Sequence, residues 1–252
     1  MKPLRIAVAG KGGAGKSLIS GTMARLLARH DRQVLALDSD LQPGLALSLG
    51  AAVPAEPPLL AAAVKDEDGR WRLRKGIGPV RAVQRYTTAA PDGVRLLQAG
   101  KTTDEGLAPL MGAIHAFYKV IHRLDEAGSL RDWTILGDLP AGPRQAAFDW
   151  APYAEHFLLV VEPTWPSMLT ARRVMRIVRI REEVTVSAVL NKATSEADVD
   201  RVRAFGFEPL AVVPADDAVR DAERRGVALL DHAPGSPAVA AIARLVTALE
   251  RR

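Results

Sequence analysis

The apolar positions of this chain follow two rhythms. Residues 4–9, 33–38, 94–98, 133–138, 156–162, 184–191 and 210–213 form short, nearly continuous apolar runs, the pattern of strands buried on both faces. Between them, apolar residues recur at three- and four-residue spacing. That pattern predicts helices over residues 16–30, 110–127, 167–181, 196–205, 217–225 and 236–251. The alternation predicts an α/β fold, a mostly parallel central sheet with crossover helices on both faces. Residues 53–93 break both rhythms. They are rich in Pro and Gly, carry a charged patch from Lys65 to Lys75, and are expected to form an irregular surface excursion. No repeat or linker interrupts the remainder, so residues 1–252 are expected to form a single domain.

Composition narrows the chemistry. With 252 residues, 48% hydrophobic and 25% charged, the chain can bury a large core without covalent staples. It has no cysteine, which excludes thiolate-ligated clusters, thiolate zinc, disulfides and cysteine nucleophiles. Lys and Arg exceed Asp and Glu by 34 to 29, an excess that permits contact with nucleic acid or anionic lipid without requiring it. The apolar run at 4–9 is too short for a signal peptide. No run approaches the roughly 20 residues that span a bilayer, so integral membrane insertion is not expected and a cytoplasmic location is. The last predicted helix is amphipathic through Val239, Ile242, Val246 and Leu249, but it lacks aromatics and suits packing on the sheet.

Between the first predicted strand and the first predicted helix stands Gly10-Lys11-Gly12-Gly13-Ala14-Gly15-Lys16-Ser17, which satisfies the phosphate-loop pattern G-x-x-x-x-G-K-[ST] in full. Glycines let successive backbone N–H groups curl into a nest for phosphate oxygens, and the following helix adds its positive dipole end. Lys16 is placed to reach the β- and γ-phosphates and Ser17 to ligate Mg²⁺, so ATP and Mg²⁺ are the expected ligands. Asp38 and Asp40 close the second predicted strand. Alternation puts both carboxylates on the same side, about 7 Å apart along the chain. Asp138 closes another strand and is followed by Leu139-Pro140-Ala141-Gly142.

Lys11, directly after the first glycine, is not needed by an ordinary loop of this type. The run Lys-Gly-Gly-Ala-Gly-Lys-Ser resembles the deviant Walker A motif of the MinD/ParA family of P-loop ATPases. The resemblance implies a P-loop NTPase fold and slow ATP hydrolysis stimulated by a partner. It also implies a homodimer that closes around ATP, in which Lys11 crosses to the partner subunit's phosphates. By the same match Asp40 positions the attacking water and Asp38 supports Mg²⁺ through its water shell. Asp138 belongs to the switch II element and holds a metal-bound water. Asn191 and Lys192, with the loop Pro214-Ala215-Asp216, match the adenine-binding positions. The implied catalytic residues are therefore Lys11, Lys16 and Asp40. The implied nucleotide cradle is Gly12, Gly13, Ala14, Gly15, Lys16 and Ser17, and the metal is served by Ser17, Asp38 and Asp138.

The resemblance runs the length of the chain and is most marked to the CooC-type accessory ATPases, which help insert nickel into carbon monoxide dehydrogenase. The segments Asp40–Gly50 and Gly93–Lys101 carry it. The CooC pattern has a Cys-x-Cys pair near Glu105-Gly106, and this chain has none, so a thiolate metal bridge between subunits is impossible. His115 and His122, seven residues apart on a predicted helix, could in principle replace such ligands, and surface or interface roles suit them better. Two functions remain: a maturation-like switch acting on an unidentified protein partner, or a positioning or partitioning ATPase on non-specific DNA or a membrane surface. Arg172, Arg173, Arg176 and Arg179 on one predicted helix supply the candidate DNA contact. Trp165, between two prolines, is expected to wall the nucleotide or interface region.

Overall fold

The computed structural model describes residues 2–41, 44–100, 107–143 and 149–252. Ten strands are present among them: β1 (Arg5–Gly10), β2 (Val34–Asp38), β3 (Ala63–Lys65), β4 (Trp71–Leu73), β5 (Thr88–Ala89), β6 (Arg95–Gln98), β7 (Thr134–Asp138), β8 (His156–Val161), β9 (Thr185–Ala193) and β10 (Pro209–Pro214). The first four helices are α1 (Lys16–Arg29), α2 (Gly44–Leu49), α3 (Pro79–Tyr86) and α4 (Leu107–Ile121). They are followed by α5 (Trp165–Val178), α6 (Glu196–Ala204), α7 (Asp217–Arg225), α8 (Leu229–His232) and α9 (Pro237–Glu250). Every strand and helix expected from periodicity forms, most with ends within three residues of expectation.

Eight strands make one sheet in the order β10-β9-β8-β1-β7-β2-β6-β5, parallel throughout except for the two-residue edge strand β5. The period of two explains its layers. Ile6 and Val8 of β1 join one apolar cluster, while Ala7 and Ala9 join the other. Over the first face lie α1 and α9, with Ile19, Met23 and Leu27 of α1 buried at four-residue spacing beside Ile242, Leu245 and Val246. Over the second lie α4, α5 and α6 through Phe117, Val174 and Val202. Each such fully buried side chain contributes about 1.5–3 kcal/mol.

The expected excursion at 53–93 is more ordered than its composition suggested. It holds the antiparallel β3–β4 hairpin, α3 and β5, and it covers the second face through Leu59, Ala62 and Val83. Lys65 lies over the Trp71 ring at 5.2 Å, and Trp71 packs against Gly112 of α4, where a Cβ would meet the indole at 2.9 Å.

Arg25 of α1 is buried and ties three distant segments. Its guanidinium donates to Asp92 at 2.6 Å and to both oxygens of Asp231 at 2.7 Å. Such planar, two-pronged pairing is the geometry in which Arg outperforms Lys.

Candidate functional site

The parallel register places β1, β2 and β7 so that their carboxyl ends open on one edge, where open α/β sheets carry their ligands. β7 lies between β1 and β2, with Asp138 level with both Val8 and Asp38. The loop after β1 therefore faces two carboxylates.

That loop is shaped by its glycines. Gly13 and Gly15 adopt left-handed backbone, at φ 78° and 92°. Helix α1 starts with no side-chain cap and no acidic residue in its first turn, leaving its amides and dipole to a ligand. Gly12 is exposed and Ala14 is buried. Lys16 is 7% exposed, with Nζ 3.5 Å from the Lys11 carbonyl, so its ammonium lies across the loop. Lys11 is half-buried, and its Nζ donates to the Gly12 carbonyl at 3.4 Å, folded against its own loop.

Ser17 donates to Asp138 Oδ2 at 2.6 Å and Ser20 to Oδ1 at 3.4 Å. Burial pushes the Asp138 carboxyl up to about 6, against the opposing pull of the Ser17 hydrogen bond and the Lys16 charge. Burial, followed by the Asp138 charge, holds Asp38 well above the usual carboxylate range. Asp38 Oδ1 accepts from the Asp40 amide at 3.2 Å. Asp38 Oδ2, Ser39 Oγ and Gln98 Oε1 are buried without a hydrogen-bond partner among the described residues. Asp40 is half-buried at the rim and accepts from the Leu41 amide at 2.7 Å.

A buried, all-oxygen, under-satisfied acidic pocket fits a small hard cation. Among the described residues, no three His, Cys, Asp or Glu side chains converge as a ligand group. Mg²⁺ matches this poverty of protein ligands, because it keeps waters and shares phosphate oxygens. The residues that could hold it are Ser17, Asp38 and Asp138.

Beside the loop opens a cleft of about 600 Å³ lined by Asn191, Lys192, Pro214, Ala215 and Leu18. The strand expected at 184–191 runs two residues further, so that Lys192 as well as Asn191 lies inside β9. Lys192 has φ 60° and is the extra residue of a bulge, since Asn191 pairs with Val213 and Ala193 with Pro214. The bulge aims both side chains at the phosphate loop. Asn191 Nδ2 donates to the Ala14 carbonyl at 2.7 Å, and Lys192 Nζ bridges the Gly13 carbonyl at 2.6 Å and Glu162 at 2.8 Å. Gly15 is required by this clamp, because a Cβ there would lie 2.2 Å from Asn191 Nδ2. The Asp216 carboxylate is committed elsewhere, accepting from the amides of Ala218 and Ala238 and so tying the starts of α7 and α9. Sequence reasoning missed Glu162; its one signal was an acid at the carboxyl end of a buried strand.

The other expected positions sort as follows. The segment that follows Asp138 lies against the loop, the Gly142 amide donating to the Gly10 carbonyl at 3.1 Å. Trp165 does not line this cleft and lies edge-on to Phe205. The histidines are not brought together as ligands. His122 bonds the Asp149 carbonyl at 2.9 Å, whereas burial, then Lys119 and Arg72, holds His115 below the usual imidazole range. The position of the missing Cys-x-Cys pair, with Gln42, Pro43 and Lys101 of the resembling segments, lies outside the described residues.

The family profile of the CobQ/CobB/MinD/ParA nucleotide binding domain matches residues 6–230. The chain belongs to this family. Among curated relatives of this MinD/ParA-type chain is the carbon monoxide dehydrogenase accessory protein CooC of Rhodospirillum rubrum. It is 28% identical over 244 residues, covering 92% of this chain and 91% of that protein. The antiactivator FleN of Pseudomonas aeruginosa is 28% identical over 258 residues, covering 94% and 83%. Among solved structures, the Pyrococcus furiosus cell division ATPase MinD superposes with a TM-score of 0.70 at 25% identity, covering 100% of this chain and 99% of that one. The MinD/ParA-type fold is thus present over the whole chain. No helix among the described residues is long and apolar enough to cross a membrane.

Proposed function

We propose that this MinD/ParA-type chain is an ATP-hydrolysing switch that dimerises around ATP and acts on a partner protein. The observation that carries the proposal is a single edge of the sheet bearing a complete phosphate loop, a second lysine beside it and three carboxylates facing it. In the hydrolytic step a water oxygen bonds to the γ-phosphorus as the bond to the β–γ bridging oxygen breaks, and the bridging oxygen leaves with the electron pair. Asp40, at the rim, orients that water and takes its proton. Lys16 and the loop amides stabilise charge growing on the leaving β-phosphate. Mg²⁺, when bound through Ser17, offsets the phosphate charge. Lys11, lightly held to Gly12, swings out to the phosphates of the facing subunit. Pro214 and Ala215 border the base, while Asn191 and Lys192 hold the loop beneath it.

The relatives support action on a protein: one is an accessory protein of an enzyme, another an antiactivator. A CooC-like maturation role here proceeds without a cysteine-held metal, since the chain has no cysteine. Light scattering after size exclusion tests the switch. Native protein is expected to dimerise with a non-hydrolysable ATP analogue but not with Mg–ADP, and Lys11→Ala to stay monomeric in both. No analogue-dependent dimer in the native protein would refute the two-lysine reading.

A positioning or partitioning role on DNA is the second reading, carried by the exposed arginines of α5. It requires duplex binding by the dimer that weakens steeply between two salt concentrations.

A further inference from the structure

Helix α5 presents an outer face that no described part of the chain covers. At about 100° per residue, its buried positions Met168, Ala171, Val174 and Val178 turn toward the sheet. The same geometry gathers Trp165, Arg172, Arg176 and Arg179 on the solvent side. Trp165 at one end is 61% exposed, and Ile180 just past the other end is 79% exposed. The row between them is about 22 Å long.

Its charge is left unbalanced, unlike that of its neighbours. In α6, Arg201 pairs with Asp198 and Arg203 with Asp200; in α7, Arg220 pairs with Asp217 and Arg224 with Asp221. Each acid sits three residues ahead of its arginine. Helix α5 contains no acidic residue, and Arg173, Arg176 and Arg179 have no ion-pair partner among the described residues. The Trp165 end is held in place: Arg172 lies over the Phe205 ring at 4.1 Å, and Trp165 meets the same ring edge-on at 5.1 Å.

We propose that this face docks an acidic amphipathic helix of a partner protein, its carboxylates against the arginines and its apolar ends on Trp165 and Ile180. The proposal rests on the partner-acting switch reading and gives that partner a place and a chemistry. Exposed Trp and Arg are the residues that dominate protein interfaces, and an unpaired row of one sign selects the other. Two apolar ends about 22 Å apart match a helix of four turns; the evenly charged DNA backbone offers them nothing to bury. The buried side of the same helix is linked to the phosphate loop. Glu162, whose backbone amide donates to Ser167 Oγ of α5 at 2.9 Å, holds Lys192, which holds the Gly13 carbonyl.

The test uses the full chain and a synthetic helical peptide of about 18 residues, with glutamates at i, i+4 and i+7 and Leu and Phe near its ends. A control peptide replaces each glutamate by lysine. Fluorescence anisotropy follows labelled peptides, while duplex DNA and phosphatidylglycerol vesicles are titrated in parallel. The acidic peptide is expected to bind and the basic one not. Affinity should fall at least about tenfold in Arg173→Glu/Arg176→Glu/Arg179→Glu and about as much in Trp165→Ala. Both variants should keep the native circular dichroism spectrum and bind fluorescent ATP as the native protein does. Acidic-peptide binding that is absent, or that both variants leave unchanged, overturns the proposal. So does variant-sensitive binding of DNA or vesicles in place of the peptide, which would assign the face to those instead. Loss of ATP binding by the native chain would refute the switch reading separately, whatever the peptide does.

Discussion

Asp138 carries a conflict at the scale of one residue. It is buried, Ser17 and Lys16 favour its charge, and burial still wins, pushing its carboxyl up from 3.8 to about 6. A raised carboxyl in the folded chain means that the fold prefers the proton. The stability this group contributes is fully present below about pH 4 and lost as pH rises through about 6. The difference corresponds to about 3 kcal/mol at neutral pH. Asp138→Asn, which keeps an acceptor for Ser17, should therefore raise the melting temperature of the nucleotide-free protein at pH 7.5 and leave it unchanged at pH 4. Parallel melting curves for the two proteins across that range would remove the burial argument. The aspartate was legible in sequence as a strand-end acid, but its protonation was not, because that depends first on its burial in the folded sheet and then on Ser17, Lys16 and Asp40, which the fold brings beside it. The clamp of Asn191 and Lys192 was half legible for a similar reason. Residue types and order were visible, while the bulge that turns Lys192 toward Gly13 arises from pairing with β10.

At the scale of elements, long periodic segments were readable and short ones were not. Strands β3 and β4 have three residues each, too few to display a period, and they are fixed by Lys65 on Trp71 and by Trp71 on Gly112. Helix α3 was missed inside the stretch read as irregular, although Pro79, its first residue after Gly78, is a usual start signal for a helix. Gly137 shows what an apolar strand can hide. A Cβ there would sit 1.7 Å from the Tyr153 hydroxyl, so the glycine exists to admit the tyrosine. That hydroxyl is buried and has no partner among the described residues. Removing an unpaired buried group relieves its desolvation cost, so Tyr153→Phe should leave stability unchanged or raise it by up to about 1 kcal/mol in urea denaturation. A loss beyond about 1 kcal/mol would mean that the hydroxyl has a partner.

At the scale of the molecule, contacts far apart in sequence decide both the site and its durability. Arg25 joins α1, which carries the phosphate loop at its start, to Asp92 before β6 and to Asp231 in α8. Arg25→Met keeps the length of the side chain but removes the partner of Asp231, while Asp92 keeps Arg29 at 3.0 Å. Because Asp231 is partly exposed and can rehydrate, the expected cost is about 2–3 kcal/mol, near the lower end for breaking a buried pair. For a chain of this size that lowers the melting temperature by about 5–10 °C, readable by calorimetry. The strand order has a further consequence, for the order of events during synthesis. β1 leaves the ribosome first, yet its two neighbours are β7 and β8, and neither exists until residues 134–138 and 156–161 have been made. Until then an apolar strand and a glycine-rich loop wait without a template, and the growing chain has no means of holding a nucleotide. Ligand can stabilise the finished protein but cannot guide the early chain, so the vulnerable interval ends only when the second half of the sheet arrives.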